Sequence, residues 1–350
     1  MELPAGVTAH DIDTDRLRMH YLESGPSDGI PVVLVHGNLS TGRFYETVMA
    51  GAPPQYRFIA PDMRGFGRSE RKALDATRGV RDWADDTYAL VQALGIDVPV
   101  HLAGWSTGGA AVAAYAMDRP VASLTFIDPV SPYGFGGCHR DGTPCFPDWA
   151  GTGGGTGNPE FVERLRSGDR SADSPFSPRS VMAMSYWSPD YAMPEDRFDM
   201  LVDEVLLSTV GDDGYPGDFT PSDNWPGMAP GTTGILNALS GKYLSWSQIV
   251  DIDPKPPILW THGAQDIVVA DGSAWEMGTL GAAGHVPGWP GADVYPPQPQ
   301  VTQIRDVLEE YASRGGRVQA EWMEGSGHGP VLDASERWNA LFYAFLDSAS

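Results

Sequence analysis

Apolar and polar residues alternate along Leu17-Arg18-Met19-His20-Tyr21, the pattern of a strand with one face in solvent. Pro31-Val32-Val33-Leu34-Val35 is instead a continuous apolar run ending at His36-Gly37, as expected of a strand buried on both faces of a mainly parallel sheet. Arg57-Phe58-Ile59-Ala60 and Leu124-Thr125-Phe126-Ile127 read as further short strands. Val80, Trp83, Ala84, Tyr88, Val91 and Leu94 share one helical face. Val98-Pro99-Val100-His101-Leu102-Ala103 reads as a strand, and the small residues Gly109 to Ala116 as a helix behind it. Periodicity then fails over residues 131–254, where Gly, Pro, Trp and Tyr abound; helical pieces are predicted only around Glu160 to Arg166 and Asp199 to Leu207. The rhythm returns with a strand at Pro257 to Thr261. A Gly/Pro-rich loop from Asp271 to Gln298 follows, then a helix with Val301, Ile304, Leu308 and Tyr311 on one face. Arg317 to Met323 is a last strand, and Asp333-Ala334-Ser335-Glu336 reads as a capping box that opens a terminal helix.

Strands alternating with helices predict an α/β fold with a mainly parallel, doubly wound sheet. Residues 1–130 and 255–350 supply that core domain. The stretch 131–254 is too long for a plain loop of a compact domain, and is read as an inserted cap, or lid, domain over the strand ends. No internal repeat interrupts this reading.

Composition narrows the function. The 350 residues carry a net charge of −23 with only three lysines, Lys72, Lys242 and Lys255. That charge argues against nucleic acid and against anionic membranes as partners. It is the charge of a soluble protein, with adaptation to high salt as an alternative. No apolar stretch is long enough to span a membrane, and Met1 to Gly6 lacks the pattern of a secretory signal, so a cytoplasmic location is expected. Cys138 and Cys145 are expected as reduced thiols, with a disulfide between them as the alternative. No ligand spacing for zinc appears. Neither a metal nor an organic cofactor is expected; the partner is a small-molecule substrate, and assembly into a homo-oligomer stays open.

The chemistry centres on Gly104-Trp105-Ser106-Thr107-Gly108, set between an apolar strand and a small-residue helix. Strand, G-x-S-x-G and helix together make a nucleophile elbow. Serine needs a base, itself oriented by an acid. His328, in Glu324-Gly325-Ser326-Gly327-His328-Gly329-Pro330 directly after the last strand, is the expected base. Of the other histidines, His36 and His101 read as structural, His262 only precedes the acid loop, and His285 is the one further active-site candidate. For the acid, Asp266 in Thr261-His262-Gly263-Ala264-Gln265-Asp266 is preferred, and Asp128 at the end of the preceding strand is the alternative. The oxyanion needs preorganised donors. The backbone N–H of Thr107 is one, and Asn38 in the loop after His36-Gly37 is the second, with Leu39 behind it. Trp105 and Leu39 are expected to line the substrate site, although Trp105 fits a core role nearly as well. The aromatics Tyr186, Trp187, Tyr215 and Trp225 could wall an acyl site or fill the core of the inserted block.

His36-Gly37-Asn38, Pro61-Asp62-Met63-Arg64-Gly65-Phe66-Gly67-Arg68-Ser69, the Gly104–Gly108 elbow, Gly263-Ala264-Gln265-Asp266 and Gly327-His328 resemble the α/β-hydrolase superfamily in order and spacing. The resemblance covers about residues 15–130 and 255–348. It is closest to the branch that holds epoxide hydrolases, haloalkane dehalogenases, cofactor-free haloperoxidases and carbon–carbon bond hydrolases. It implies an aspartate at the elbow for dehalogenases and epoxide hydrolases; Ser106 departs from that and leaves the serine-dependent members. The Gly-Gly-Gly oxyanion motif of lipases is missing. The expected function is therefore a serine hydrolase of a small to medium apolar ester or lactone, acting through an acyl-enzyme. Cleavage of an amide or carbon–carbon bond by the same residues is the alternative among enzymes. A non-catalytic relative that binds a small molecule is the alternative outside them.

Overall fold

A computed structural model describes residues 2–349. Its centre is a sheet of eight strands: β1 (Val7–Asp13), β2 (Arg18–Ser24), β3 (Ile30–Val35), β4 (Tyr56–Pro61), β5 (His101–Trp105), β6 (Ser123–Ile127), β7 (Ile258–Gly263) and β8 (Val318–Met323). The spatial order is β1-β2-β4-β3-β5-β6-β7-β8. From β4 through β8 all neighbours are parallel; β1 and β2 join antiparallel at one edge. The runs with no alternation, β3, β4, β5, β6 and β7, lie buried along nearly their whole length.

The principal helices are α1 (Arg81–Ala93), α2 (Thr107–Asp118), α3 (Pro159–Ser167), α4 (Pro178–Ser185), α5 (Glu195–Val205), α6 (Met277–Ala282), α7 (Gln300–Ser313) and α8 (Ser335–Ala349). Trp338 of α8 donates its indole N–H to Thr261 Oγ1 on β7 at 3.0 Å, and Phe342 packs on Phe58 of β4. In the turn after β4, Arg64 pairs with Asp86 of α1 through two hydrogen bonds of 2.9 and 2.8 Å. That buried pair anchors the Gly-rich turn to the helix beside it.

Three expectations need correction, and one strand went unread. β1 carried no readable alternation, because six of its seven residues face solvent or lie half-buried at the edge. The elbow strand begins at His101 and not at Val98, which is 53% exposed; Pro99 has no N–H to give a ladder. The second Gly/Pro loop contains α6, opened by the Glu276 carboxylate, which accepts the N–H groups of Gly278 and Thr279. Helix α5 starts four residues earlier than its apolar residues suggested, since its first turn is the acidic pair Glu195 and Asp196.

Residues 131–254 contain α3, α4, α5 and two small two-stranded pairings, Val210–Gly211 with Tyr215–Pro216 and Phe219–Pro221 with Met228–Pro230. Their buried apolar residues, including Phe161, Met182, Trp187 and Leu201, belong to the same continuous cluster as the sheet. Both cysteines are free thiols, and burial pushes each up to about 12. Among the described residues no helix is long and apolar enough to cross a membrane.

Candidate active site

Ser106 sits between β5 and α2 at φ 55°, ψ −116°, a left-handed conformation unusual for a residue with a Cβ. Three backbone hydrogen bonds impose it. Its N–H donates to Ile127 O at 2.9 Å, and its carbonyl accepts from Gly109 at 3.0 Å and Val130 at 3.1 Å. The flanking glycines are set by close approach: a Cβ on Gly104 would stand 2.2 Å from Gly108 O, and one on Gly108 2.1 Å from Val35 O. Thr107 is the first residue of α2. N–H groups of a first helical turn have no partner inside the helix and point along the positive end of its dipole.

His328 lies in the loop after β8. Its Nδ1 is 2.8 Å from Asp266 Oδ2, and Asp266 Oδ1 accepts the N–H groups of Val268 and Val269 at 2.7 and 3.1 Å. Burial raises the Asp266 carboxyl, but the charge and hydrogen bond of His328, with His262 and the Val268 N–H, bring it net below its ordinary value. A carboxylate at this position accepts the Nδ1 proton, which leaves the Nε2 lone pair free.

The histidine loop is braced from several sides. The Trp105 indole N–H donates to His328 O at 2.6 Å. Asp333 accepts the Gly327 N–H and the Ser188 N–H, each at 2.8 Å, as well as the Ser326 hydroxyl. This corrects the capping-box reading: α8 does open at Ser335, but the Asp333 carboxylate is spent on the histidine loop. A Cβ on Gly327 would stand 2.5 Å from the Trp187 carbonyl carbon, so the inserted block lies directly on this loop.

Asp128, the alternative acid, does not bond His328. It too has a positive φ, 43°; its N–H donates to Thr261 O at 3.0 Å, and its Oδ1 accepts the Gly263 N–H at 2.7 Å. Burial first, and then the neighbouring Asp266 charge, hold its carboxyl well above the usual range. Buried His262 stands between the two acids, 3.7 Å from Asp128 and 3.6 Å from Asp266, with its own value lowered by burial. These three residues bring donor atoms within 4.8 Å of one another. They are the cluster that could hold a cation, but an ion there would compete with His328 for Asp266.

The loop after β3 lies beside Ser106, for a Cβ on Gly37 would be 3.1 Å from its Cβ. His36 is structural: its ring pairs with Gly37 O at 2.7 Å and accepts the Met63 N–H at 2.9 Å, and burial pushes it down to about 4. Leu39 is buried with φ 50°, and the Asn38 side-chain oxygen is buried without a partner. Trp105 is 1% exposed, its ring surrounded by Phe44, Tyr186 and His328 at centroid distances of 5.7, 5.5 and 5.5 Å. Those contacts are packing contacts. His285 is exposed after α6 and takes no part in the cluster. Sequence reasoning did not assign these roles to Asp333, Tyr186 and the Trp105 indole N–H: Trp105 and Tyr186 act across 223 and 147 residues of chain, and Asp333 through a turn that folds back on Gly327.

Residues 30–153 match a family model described as the alpha/beta hydrolase fold. A haloalkane dehalogenase from Mycobacterium marinum is 48% identical over 60 residues, 17% of this chain and 20% of that protein. A non-heme chloroperoxidase from Streptomyces lividans is 37% identical over 123 residues, 34% of this chain and 44% of that protein. The chain thus spans less than half the length of these relatives. Along its whole length it shares the fold of an esterase from Rhodococcus, at TM-score 0.58 and 18% identity, covering 99% of this chain and 100% of that one.

Proposed function

Because the chain belongs to the α/β-hydrolase superfamily, we propose that it is a serine hydrolase cleaving a small to medium apolar carboxylic ester or lactone. Ser106 attacks the carbonyl carbon while His328 Nε2 takes its proton. Asp266 keeps the imidazole in the required tautomer and stabilises the imidazolium. The Thr107 N–H and a donor from the Asn38–Leu39 loop bind the oxyanion; the alcohol leaves with the proton from His328, and water then deacylates the serine by the same steps in reverse roles. Residues 131–254 serve as a cap that shapes the acyl site.

The observation that carries this reading is the backbone of Ser106. A non-glycine residue is held at φ 55° between a buried strand and a helix start, while His328 is already bonded to Asp266 at 2.8 Å. Such strain is kept where surrounding structure imposes it, and it suits a group that must project. The dehalogenase and epoxide hydrolase names among the relatives do not transfer, since serine stands where the resemblance implies their aspartate. A graded panel of p-nitrophenyl esters, lactones and anilides tests the proposal. Esters or lactones should be turned over and Ser106→Ala should abolish turnover; preference for the anilides would replace the ester reading.

A further inference from the structure

The loop that follows β3 is tied to the inserted block at two points. Tyr186, just past the end of α4, points its hydroxyl at Leu39 O, 2.9 Å away, and at Asn38 O, 3.3 Å away. Its ring is buried against Trp105 and Phe44 at 5.5 and 6.1 Å. Glu204 of α5 is 2% exposed. Its carboxylate accepts the Thr41 hydroxyl at 2.9 Å and two N–H groups of Arg68, each at 2.8 Å. From the core side, Asp62 accepts the Gly42 N–H at 2.9 Å and the Arg68 N–H at 2.8 Å. The loop is thus fixed at Leu39, Thr41 and Gly42, and the first two of those fixings come from residues 131–254.

What is fixed matters for chemistry. Leu39 holds φ 50°, a conformation a branched side chain does not adopt unaided. The Asn38 carbonyl and the Leu39 N–H belong to one peptide plane, so a hydrogen bond on the first orients the second. Resting on the function proposed above, we infer that Tyr186 is a positioning residue for the oxyanion: its hydroxyl, donated to the Leu39 and Asn38 carbonyls, holds the loop that supplies the second oxyanion donor. Glu204 fixes the same loop one turn further on. The inserted block then sets the reaction rate as well as the fit of the substrate. Loss of one oxyanion donor costs about a hundred- to a thousandfold in kcat, and a loosened donor costs less than a lost one.

Tyr186→Phe removes one hydroxyl and leaves the ring packing in place. On the best p-nitrophenyl ester of the panel, kcat should fall about ten- to a hundredfold while KM stays within about twofold. The inhibition constant of a trifluoromethyl ketone, which forms a tetrahedral adduct on the serine, should rise by the same factor as kcat falls. Glu204→Gln keeps an acceptor for Thr41 and should show the same split in weaker form. A Tyr186→Phe enzyme with wild-type kcat, or one in which KM rises while kcat holds, overturns the inference and leaves the serine mechanism standing. A wild-type chain that hydrolyses no ester or lactone and forms no ketone adduct overturns both.

Discussion

Two buried aspartates stand within reach of the histidine loop, and replacing each by asparagine separates their roles. Asp266→Asn keeps an amide oxygen for the Val268 and Val269 N–H groups. Its NH2 then faces His328 Nδ1, where the structure has an acceptor at 2.8 Å. Two donors cannot share that contact, so the imidazole must move its proton to Nε2 and lose the lone pair that activates Ser106. A tautomer error of this kind in a serine triad lowers kcat about 10⁴-fold, or about 5.5 kcal/mol at 1.36 kcal/mol per decade. Asp128→Asn behaves differently. The amide oxygen keeps the Gly263 N–H, now 2.7 Å from Oδ1. The NH2 takes the place of a carboxyl that burial and the Asp266 charge already hold well above its usual range. The His328–Asp266 contact is untouched, and kcat should stay within about tenfold of wild type. The assay is steady-state hydrolysis of p-nitrophenyl butyrate near neutral pH, with enzyme concentration fixed by fluorophosphonate titration. If Asp128→Asn fell as far as Asp266→Asn, or if Asp266→Asn kept most of its activity, the acid would be misassigned.

Further outcomes follow from the bracing around the site. Trp105→Phe keeps an aromatic ring but removes the donor to His328 O, now 2.6 Å away. It should lower unfolding free energy by about 1–3 kcal/mol in urea titration and reduce kcat severalfold; unchanged values for both would show that the bond holds nothing. Glu276, at the start of α6, is pushed up from 4.5 to about 7 by burial, against the N–H groups it accepts. A carboxyl raised on folding stabilises fully below its unfolded value, and that contribution is lost as pH climbs through the folded one. The stability of wild type relative to Glu276→Gln should therefore decline by about 3 kcal/mol between pH 4.5 and 7. A difference that is flat with pH, measured by denaturant melts, would contradict it. His36, pushed down to about 4 by burial, acts in the opposite sense, so the stability of wild type relative to His36→Gln should fall as pH drops from 6.5 toward 4; a difference that is flat across that window would refute it.

The parts of the molecule that were legible in the sequence are those written in short-range pattern. The unbroken apolar runs of β3 and β7 and the strand–G-x-S-x-G–helix order of the elbow need only local spacing, and Ser106 and His328 do follow the strands β5 and β8 behind which the sequence put them. The choice between Asp266 and Asp128 was harder, because both end adjacent strands and lie in one buried cluster. β1 escaped notice because an exposed edge strand has no core face to alternate with. Asp333 was taken for a helix cap because it bonds Gly327, only six positions away, and a turn that folds back on itself leaves no periodic trace. Tyr186 and Glu204 reach the loop after β3 across 147 and 163 residues of chain. Neither lies in a motif of the core, and only the packing of residues 131–254 on the core gives them a role.

The central claim is that Ser106 is a nucleophile activated by His328, and covalent labelling tests it most directly. The chain is treated with a fluorophosphonate while ester hydrolysis is followed, and the adduct is located by peptide mass spectrometry. The account predicts a single adduct on Ser106, forming at the rate at which activity disappears, with no labelling in Ser106→Ala or strongly slowed labelling in His328→Ala. Absence of an adduct on Ser106, or hydrolysis that survives Ser106→Ala, would contradict it.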